Sequence, residues 1–356
     1  MCKLQIHKFY LLILTSFIIS GCGGGAGISQ GKADASIGSF LFGRDNYVLS
    51  AIEAGNGRYA EMIENLNLNQ EILGSINYYS IEYTNTNLPA VFAVISPKVT
   101  NNSLVVYNHG HSGLPSAGDA WAISFFNLLL REGYSILLMN MPIVGFNKPD
   151  LSVNYWLLPI GSNTKTAIGS DLLSLWPSFH EIYQAISGEG HFMHFFVDAS
   201  ILPLKFMSNN FRLDVNVTSR SDFKRFDGIH YVGLSGGGFS GLISCAVFNF
   251  STCTLIAGFL PTEFKVGSVK NWGDSEQWAE GFFSRFSYEE LMRLAEKSSA
   301  KMTYFYNSND SCCYSDPAAT DFKNKYKEYD IRVIESSVHS YDPLSIFRII
   351  KEPPNH

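Results

Sequence analysis

The chain has 356 residues, of which 46% are hydrophobic and 16% are charged, and its formal net charge is −6. This composition excludes a disordered or low-complexity chain and provides enough apolar side chains for a large folded core. The acidic balance, without a basic run, argues against nucleic acid as a partner.

The first 21 residues have the pattern of a secretory signal peptide. Lys3 and Lys8 form a short positive segment, and an apolar run follows from Phe9 to Ser20. A membrane-spanning helix needs roughly 20 apolar residues, so this run of about a dozen is too short to be one. We therefore predict that residues 1–21 are removed from the mature protein.

The signal peptide ends in Ile19-Ser20-Gly21-Cys22, which resembles the lipobox of bacterial lipoproteins. The resemblance implies cleavage before Cys22 and attachment of lipid, including palmitate, to that cysteine. Residues 22–33 would then be a Gly-rich tether that holds a folded domain near the membrane. Gly23 after the cysteine implies the outer membrane of the cell envelope. The alternatives are an ordinary signal peptide or an uncleaved anchor.

The remainder, 34–356, reads as a single domain. The pattern from 35 to 68 is helical, and then apolar runs typical of strands alternate with helical segments. The strands are expected at 72–83, 90–95, 103–108, 135–139, 229–234, 253–259, 302–306 and 331–334. The main helices are expected at 121–131, 239–248, 288–297, 316–329 and 346–351. A leading hairpin followed by repeated strand–helix units predicts an α/β fold, with a mostly parallel central sheet and helices on both faces.

Two stretches interrupt this alternation. The insertion around 142–190 is rich in Gly, Pro, Asn and aromatic residues, and a shorter excursion runs from Glu263 to Phe286. Long insertions in a compact domain are usually functional or disordered. We expect the insertion to lie over the active site and shape its pocket, and a purely structural wrap is the alternative.

Gly233-Leu234-Ser235-Gly236-Gly237 matches the G-x-S-x-G motif of a nucleophile elbow, between a predicted strand and a predicted helix. Such a turn exposes a serine above the end of a sheet, and its glycines let strand and helix approach each other. An ordinary Gly-rich turn is the alternative. A serine nucleophile also needs a base and an acid that orients the base. We therefore assign Ser235 as the nucleophile.

The elbow motif resembles that of the α/β-hydrolases, and the resemblance implies that the acid and then the histidine base follow Ser235 in the chain. His339 lies in a loop after the predicted strand 331–334, whereas His356 lies in a Pro-rich tail. Asp310 follows the strand 302–306 and is the expected acid. Asp316 is the rival acid but has the position of a helix N-cap, and Asp342 follows the histidine and so does not fit this chain order.

The loop after the strand 103–108 begins His109-Gly110-His111, which resembles the His-Gly oxyanion motif of esterases and peptidases of that superfamily, and the resemblance makes it the candidate oxyanion loop. We expect the backbone N–H groups of Gly236 and His111 to form the oxyanion hole, and the His109 side chain to support the loop. A metal site at His109, His111 and Asp119 is the disfavoured alternative, because no acidic cluster accompanies these residues. His191 and His194 raise the same question and read as residues of an amphipathic face.

Together, these motifs resemble the α/β-hydrolase superfamily, in particular its acetyl-esterase, dienelactone-hydrolase and prolyl-oligopeptidase-like branches. The resemblance implies a serine hydrolase that cleaves carboxylic esters through an acyl-enzyme intermediate, with a small-molecule ester as substrate and no cofactor or metal. An exopeptidase or amidase with the same triad is the first alternative. A catalytically silent surface binding protein is the second. The oligomeric state stays open.

Four cysteines remain after Cys2 and Cys22 are set aside. In the expected fold, Cys245 and Cys253 lie at one edge of the sheet, and Cys312 and Cys313 lie beside Asp310 at the other. A strand of five to seven residues separates the edges by roughly 16–23 Å, too far for a disulfide. We therefore expect a Cys245–Cys253 disulfide. Cys312 and Cys313 are expected to form a vicinal bridge or to remain as free thiols.

Overall fold

The computed structural model describes ten stretches of the chain: 33–42, 46–52, 57–83, 90–116, 119–142, 144–147, 155–160, 164–169, 191–265 and 271–352. The predicted signal peptide, Cys22 and nearly all of the tether lie outside these ranges, as does most of the 142–190 insertion. Asp34–His356 form one compact unit. In the stretches that are described, no helix has the length and apolarity to cross a membrane.

Strands and helices alternate along most of the described chain. The strands are β1 Tyr47–Ile52, β2 Leu73–Tyr83, β3 Val91–Pro97, β4 Ser103–Asn108, β5 Ser135–Met139, β6 Tyr155–Ile160, β7 Thr164–Gly169, β8 Val217–Ser219, β9 Gly228–Leu234, β10 Thr252–Ile256, β11 Met302–Asn307 and β12 Ile331–Ile334. The helices are α1 Ala33–Phe42, α2 Gly57–Glu64, α3 Ala120–Arg131, α4 Asp198–Ile201, α5 Leu204–Met207, α6 Gly236–Val247, α7 Thr262–Lys265, α8 Glu280–Phe283, α9 Tyr288–Ser298, α10 Ala318–Lys325 and α11 Pro343–Lys351. Short 3-10 turns include Gly110–Ser112 and Ser275–Trp278.

Ten strands form one sheet in the order β12-β11-β10-β9-β4-β5-β3-β2-β1-β8. The six strands from β12 to β5 pair in parallel, whereas β3 is antiparallel to both β5 and β2. The predicted antiparallel start and parallel continuation are therefore confirmed. Strands β6 and β7 of the insertion pair with each other as a separate antiparallel ribbon.

The prediction that residues 35–68 are helical is wrong in its middle part. Helices α1 and α2 are present, but β1 lies between them, antiparallel to β2 and parallel to β8. Strand β1 alternates between buried and partly exposed residues only from Tyr47 to Ser50, and its last two residues are exposed or partly exposed. Pairing with the adjacent β2, which is distant in sequence, outweighs this weak local pattern.

The central strands are covered on both sides of the sheet. Every residue of β5 and of β10 is buried, and successive side chains of a strand point to opposite faces. Helix α6 packs against α9, and α3 packs against α11. The carboxyl ends of the parallel strands are therefore held in place by a well-packed core.

Two disulfides are present. One joins Cys245, near the end of α6, to Cys253 in β10, with 6.5 Å between the Cα atoms. The other joins the neighbours Cys312 and Cys313 in the loop after β11. Cys245 and Cys253 are fully buried, whereas Cys312 is exposed, so the two bridges lie in different environments.

Candidate active site

Ser235 stands at the turn between β9 and α6. Its backbone has φ 55° and ψ −129°, a conformation that residues with a side chain rarely adopt. The turn is held by backbone hydrogen bonds: Ser235 N–H donates to the Ile256 carbonyl at 2.8 Å, and Gly238 N–H donates to the Ser235 carbonyl at 2.8 Å. This is the strained strand-to-helix turn that the G-x-S-x-G motif predicts.

Two glycines let the backbone segments around this turn come together. A Cβ on Gly233 would lie 2.2 Å from the Gly237 carbonyl oxygen, so the motif admits no side chain there. Gly110 has φ 79°, and a Cβ on it would lie 2.6 Å from the Leu234 carbonyl oxygen and 2.8 Å from the Gly236 nitrogen. The candidate oxyanion loop is therefore packed directly against the serine turn.

Asp310 and His339 are joined side chain to side chain. His339 Nδ1 lies 3.1 Å and 3.0 Å from the two carboxylate oxygens of Asp310. Asp310 is buried, and its Oδ1 also accepts the backbone N–H groups of Cys312 at 2.8 Å and Cys313 at 3.2 Å. The opposite ring nitrogen, Nε2, is buried and has no hydrogen-bond partner among the described residues.

The other two aspartates, Asp316 and Asp342, accept hydrogen bonds from the first turns of two helices. Asp316 accepts hydrogen bonds from Thr320 at the start of α10, and Asp342 is the N-cap of α11, accepting the Ser345 N–H at 2.9 Å. Of the three aspartates, the structure brings Asp310 to His339.

The His109 side chain packs against residues of β4 and α3. It is buried, its Nδ1 is 3.0 Å from the Tyr107 hydroxyl, and its ring stacks on Trp121 at 5.3 Å. Burial lowers the pKa of His109 to about 4, outweighing the Asp119 carboxylate at 3.8 Å. The imidazole is therefore neutral at ordinary pH.

His111 has side-chain partners that the sequence analysis did not identify. Its Nε2 lies 2.5 Å from Asp274 Oδ2 and 3.0 Å from Glu276 Oε1, both within the excursion from 263 to 286. Burial alone would lower the pKa of His111, but the Glu276 and Asp274 carboxylates outweigh it and raise the pKa to about 10. Ion pairs between His111 and these two carboxylates thus connect the loop after β4 to the excursion from 263 to 286.

Ser235 and His111 line a cleft of about 220 Å³. Its lining consists of His111, Ser235, Gly236, Gly273, Asp274, Gln277, Cys312, Cys313 and Tyr314. A ring nitrogen of His339 and the sulfur atoms of Cys312 and Cys313 all lie within 4.8 Å of one another. The serine turn, the oxyanion loop and the acid loop therefore meet at the cleft.

A buried polar network supports the cleft wall formed by Gln277. Gln277 Nε2 donates to the Tyr314 hydroxyl at 2.6 Å and to the Gly258 carbonyl at 3.1 Å, while Lys265 Nζ donates to Gln277 Oε1 at 3.1 Å. Burial lowers the pKa of Lys265 to about 7. No local motif marks these residues, since they come from three separate segments.

Potential metal ligands approach each other in two places within the described ranges. One group is Cys312, Cys313 and His339, whose two sulfurs form a disulfide, and the other is His111, Asp274 and Glu276. In the second group His111 Nε2 is in direct contact with a carboxylate oxygen, which suits a shared proton. The groups differ from the alternative considered in the sequence analysis, His109, His111 and Asp119.

No protein-family model matches the chain, and no curated protein matches it. Among solved structures, it is similar to an acetyl xylan esterase from Paenibacillus sp. R4, with 15% identity, TM-score 0.46, and coverage of 92% of this chain and 96% of that chain. Est1E from Butyrivibrio proteoclasticus has 11% identity and TM-score 0.42, covering 74% and 92%. The Pyrococcus horikoshii acylaminoacyl peptidase has 12% identity and TM-score 0.45, covering 82% and 41%.

These likenesses are too distant to carry an argument about activity. The fold follows from the chain itself: a mostly parallel sheet preceded by antiparallel strands, with a strained serine turn at the carboxyl end of β9 and a bonded aspartate–histidine pair after β11 and β12. On these features, the chain has the α/β-hydrolase fold.

Proposed function

We propose that the protein is a serine hydrolase that cleaves carboxylic esters. The observation that carries the proposal is the Asp310–His339 pair, whose Nδ1 contacts leave the imidazole Nε2 as the basic nitrogen. The strained turn at Ser235 provides the nucleophile, and Ser235 lines a cleft together with Cys312 and Cys313, whose sulfur atoms lie within 4.8 Å of a ring nitrogen of His339.

In the proposed reaction, His339 Nε2 accepts the Ser235 hydroxyl proton while Oγ attacks the ester carbonyl carbon. The tetrahedral intermediate collapses, the bond to the alcohol oxygen breaks, and His339 returns the proton to the departing alcohol. Water, deprotonated by the same nitrogen, then hydrolyses the acyl-enzyme to release the acid. Asp310 holds the ring tautomer and stabilises the imidazolium.

The negative charge on the carbonyl oxygen needs donors at the cleft. Gly236 opens α6 directly after the nucleophile, where backbone N–H groups lack helical partners. We propose the backbone N–H groups of Gly236 and His111 as the oxyanion hole. The packing of Gly110 against the Gly236 nitrogen supports this assignment, because it holds the two segments together.

The proposal is tested by kinetics on nitrophenyl esters of increasing acyl length, beside aminoacyl anilides. We expect turnover of the esters, and a loss of about three orders of magnitude or more in Ser235→Ala. Asp310→Asn should lose about 10⁴ in kcat, whereas the matched control Asp316→Asn should stay within a few-fold of wild type.

A faster reaction with anilides than with esters would favour the exopeptidase or amidase alternative. Hydrolysis of neither class would favour a silent binding protein. Ester hydrolysis that survives Ser235→Ala at more than about a tenth of the wild-type rate would overturn the proposed site.

We also propose that the mature protein is a lipoprotein of the cell envelope, anchored through Cys22. The proposal rests on the lipobox-like segment 19–22, the apolar run before it and the Gly-rich segment after it. The folded unit from Asp34 onward would then act on substrates close to the membrane surface.

A further inference from the structure

Two exposed tryptophans lie beside the candidate active site. Trp272 is 50% exposed and Trp278 is 40% exposed, and their ring centroids are 6.1 Å apart. Among the side chains that the structure describes, the other aromatic ones are buried or partly buried. Exposing two indoles costs apolar burial, so a pair of them on one surface indicates a contact site. We refer to Trp272 and Trp278 as the tryptophan pair.

The tryptophan pair is held in place before any ligand arrives. Trp278 Nε1 donates to the Trp272 carbonyl at 2.8 Å, which fixes the orientation of its indole. The buried Lys265 Nζ lies 4.8 Å from the centroid of the Trp278 ring. A rigid aromatic surface loses little conformational entropy on binding.

The pair is also continuous with the cleft. Gly273 and Asp274, which directly follow Trp272, line the cleft together with Ser235, and so does Gln277, which directly precedes Trp278. A ligand with its ester at Ser235 would therefore extend onto the tryptophan pair.

The chemistry of the cleft identifies the kind of ligand. More of its lining surface is polar than apolar, and the Asp274 side chain is 43% exposed. A long acyl chain would require a continuous apolar trough, which this lining does not supply. A pyranose ring has an apolar C–H face that stacks on an indole and hydroxyl groups at its edge that donate to a carboxylate.

We propose that the tryptophan pair is a sugar-binding subsite and that the ester substrate is an acylated oligosaccharide or polysaccharide. The sugar ring next to the ester stacks on the exposed indoles, and its hydroxyl groups face Asp274. This inference rests on the proposed esterase function and adds the chemical class of the substrate's alcohol part.

The experiment compares two substrates, nitrophenyl acetate and partially acetylated cellotetraose, in wild type and Trp272→Ala. The backbone carbonyl that accepts from Trp278 is retained in this variant. We expect KM for the acetylated sugar to rise about tenfold, corresponding to loss of one good contact, while kcat/KM for nitrophenyl acetate changes less than about twofold. Trp272→Phe should recover part of the loss.

Val99→Ala is the matched control, because Val99 is 80% exposed and lies beside Gly133, which precedes β5 and so marks the opposite edge of the sheet. This variant should leave the kinetic constants for both substrates unchanged. Unacetylated cellotetraose should shift the tryptophan fluorescence of the wild type, and this shift should decrease in Trp272→Ala. Because this binding test needs no hydrolysis, it separates failure of the subsite from failure of the esterase proposal.

Three outcomes would overturn the sugar-binding subsite. The first is a Trp272→Ala variant with an unchanged KM for acetylated cellotetraose and an unchanged fluorescence response. The second is an equal loss with both substrates. The third is a selective loss with long-chain nitrophenyl esters, which would indicate that the tryptophan pair binds an acyl chain.

Discussion

Asn307, the last residue of β11, connects the loops of the proposed base and acid. Its buried side-chain amide donates to the Val338 carbonyl at 2.6 Å and to the Ser340 carbonyl at 2.8 Å, on either side of His339. Its own carbonyl accepts the Asp310 N–H at 3.2 Å. One residue thus positions the backbone of both partners in the pair.

We predict that Asn307→Ala lowers kcat for ester hydrolysis about tenfold or more, with a smaller change in KM, because a shift of about 1 Å in a catalytic group is costly. Two carbonyl groups would also lose their donor, so the free energy of unfolding should fall by about 1–3 kcal/mol. Steady-state kinetics and urea unfolding measure the two effects.

The matched control is Asn309→Ala in the same loop. The Asn309 side chain is exposed and, among the described residues, donates only to its neighbour Ser308, while its backbone N–H donates to the Ser336 carbonyl. This variant should keep wild-type kcat. Equal kinetics in the two variants would show that the Asn307 amide does not position His339.

At the scale of elements, the 3-10 turns Gly110–Ser112 and Ser275–Trp278 are held together across the cleft by His111 and its two carboxylates. Glu276 is fully buried and Asp274 is partly exposed. The proposed oxyanion loop therefore depends on a segment more than 150 residues away in sequence. The strength of this connection depends on the protonation of His111.

The folded pKa of His111, about 10, is raised above its ordinary value of 6.5. A raised histidine pKa stabilises the folded state fully below pH 6.5, and the stabilisation is lost as the pH rises through 10. We predict that Asp274→Asn is less stable than wild type at pH 6.5, and that the difference closes towards pH 10. Urea unfolding of both proteins across this range is the measurement.

Comparing the two proteins at each pH cancels the contribution of Lys265, whose lowered pKa has the opposite effect on stability. A stability difference between Asp274→Asn and wild type that stays constant from pH 6.5 to pH 10 would show that the carboxylate does not hold the proton on His111.

Elements with strong local patterns were predictable from the sequence, and those that depend on distant partners were not. Strands β4, β5 and β9 are short apolar runs between turns, and the glycines around Ser235 are required by local backbone contacts. The pairing of His111 with Asp274 and Glu276 depends on where the excursion from 263 to 286 lies in the fold. No hydrophobic periodicity in the sequence indicates that position. Strand β1 also lacks a clear periodic signal in the sequence, because its register is set by pairing with β2.

At the scale of the whole molecule, a folded unit that begins at Asp34 follows a segment with the features of a lipoprotein signal. We predict that wild type is recovered in the membrane fraction and that Cys22→Ser moves it to the soluble fraction or leaves an uncleaved precursor. Mass spectrometry of the mature N-terminus checks this directly. An unlipidated mature chain that begins elsewhere than Cys22 would contradict the anchor.

Covalent labelling tests whether Ser235 is a nucleophile activated by His339 and Asp310. A fluorophosphonate reacts with an activated serine and leaves a stable adduct on its oxygen. Peptide mapping by mass spectrometry should find one adduct, on the peptide containing Ser235, and Ser235→Ala should remain unlabelled. An adduct on another serine, or no adduct on a correctly folded wild-type protein, would contradict the account.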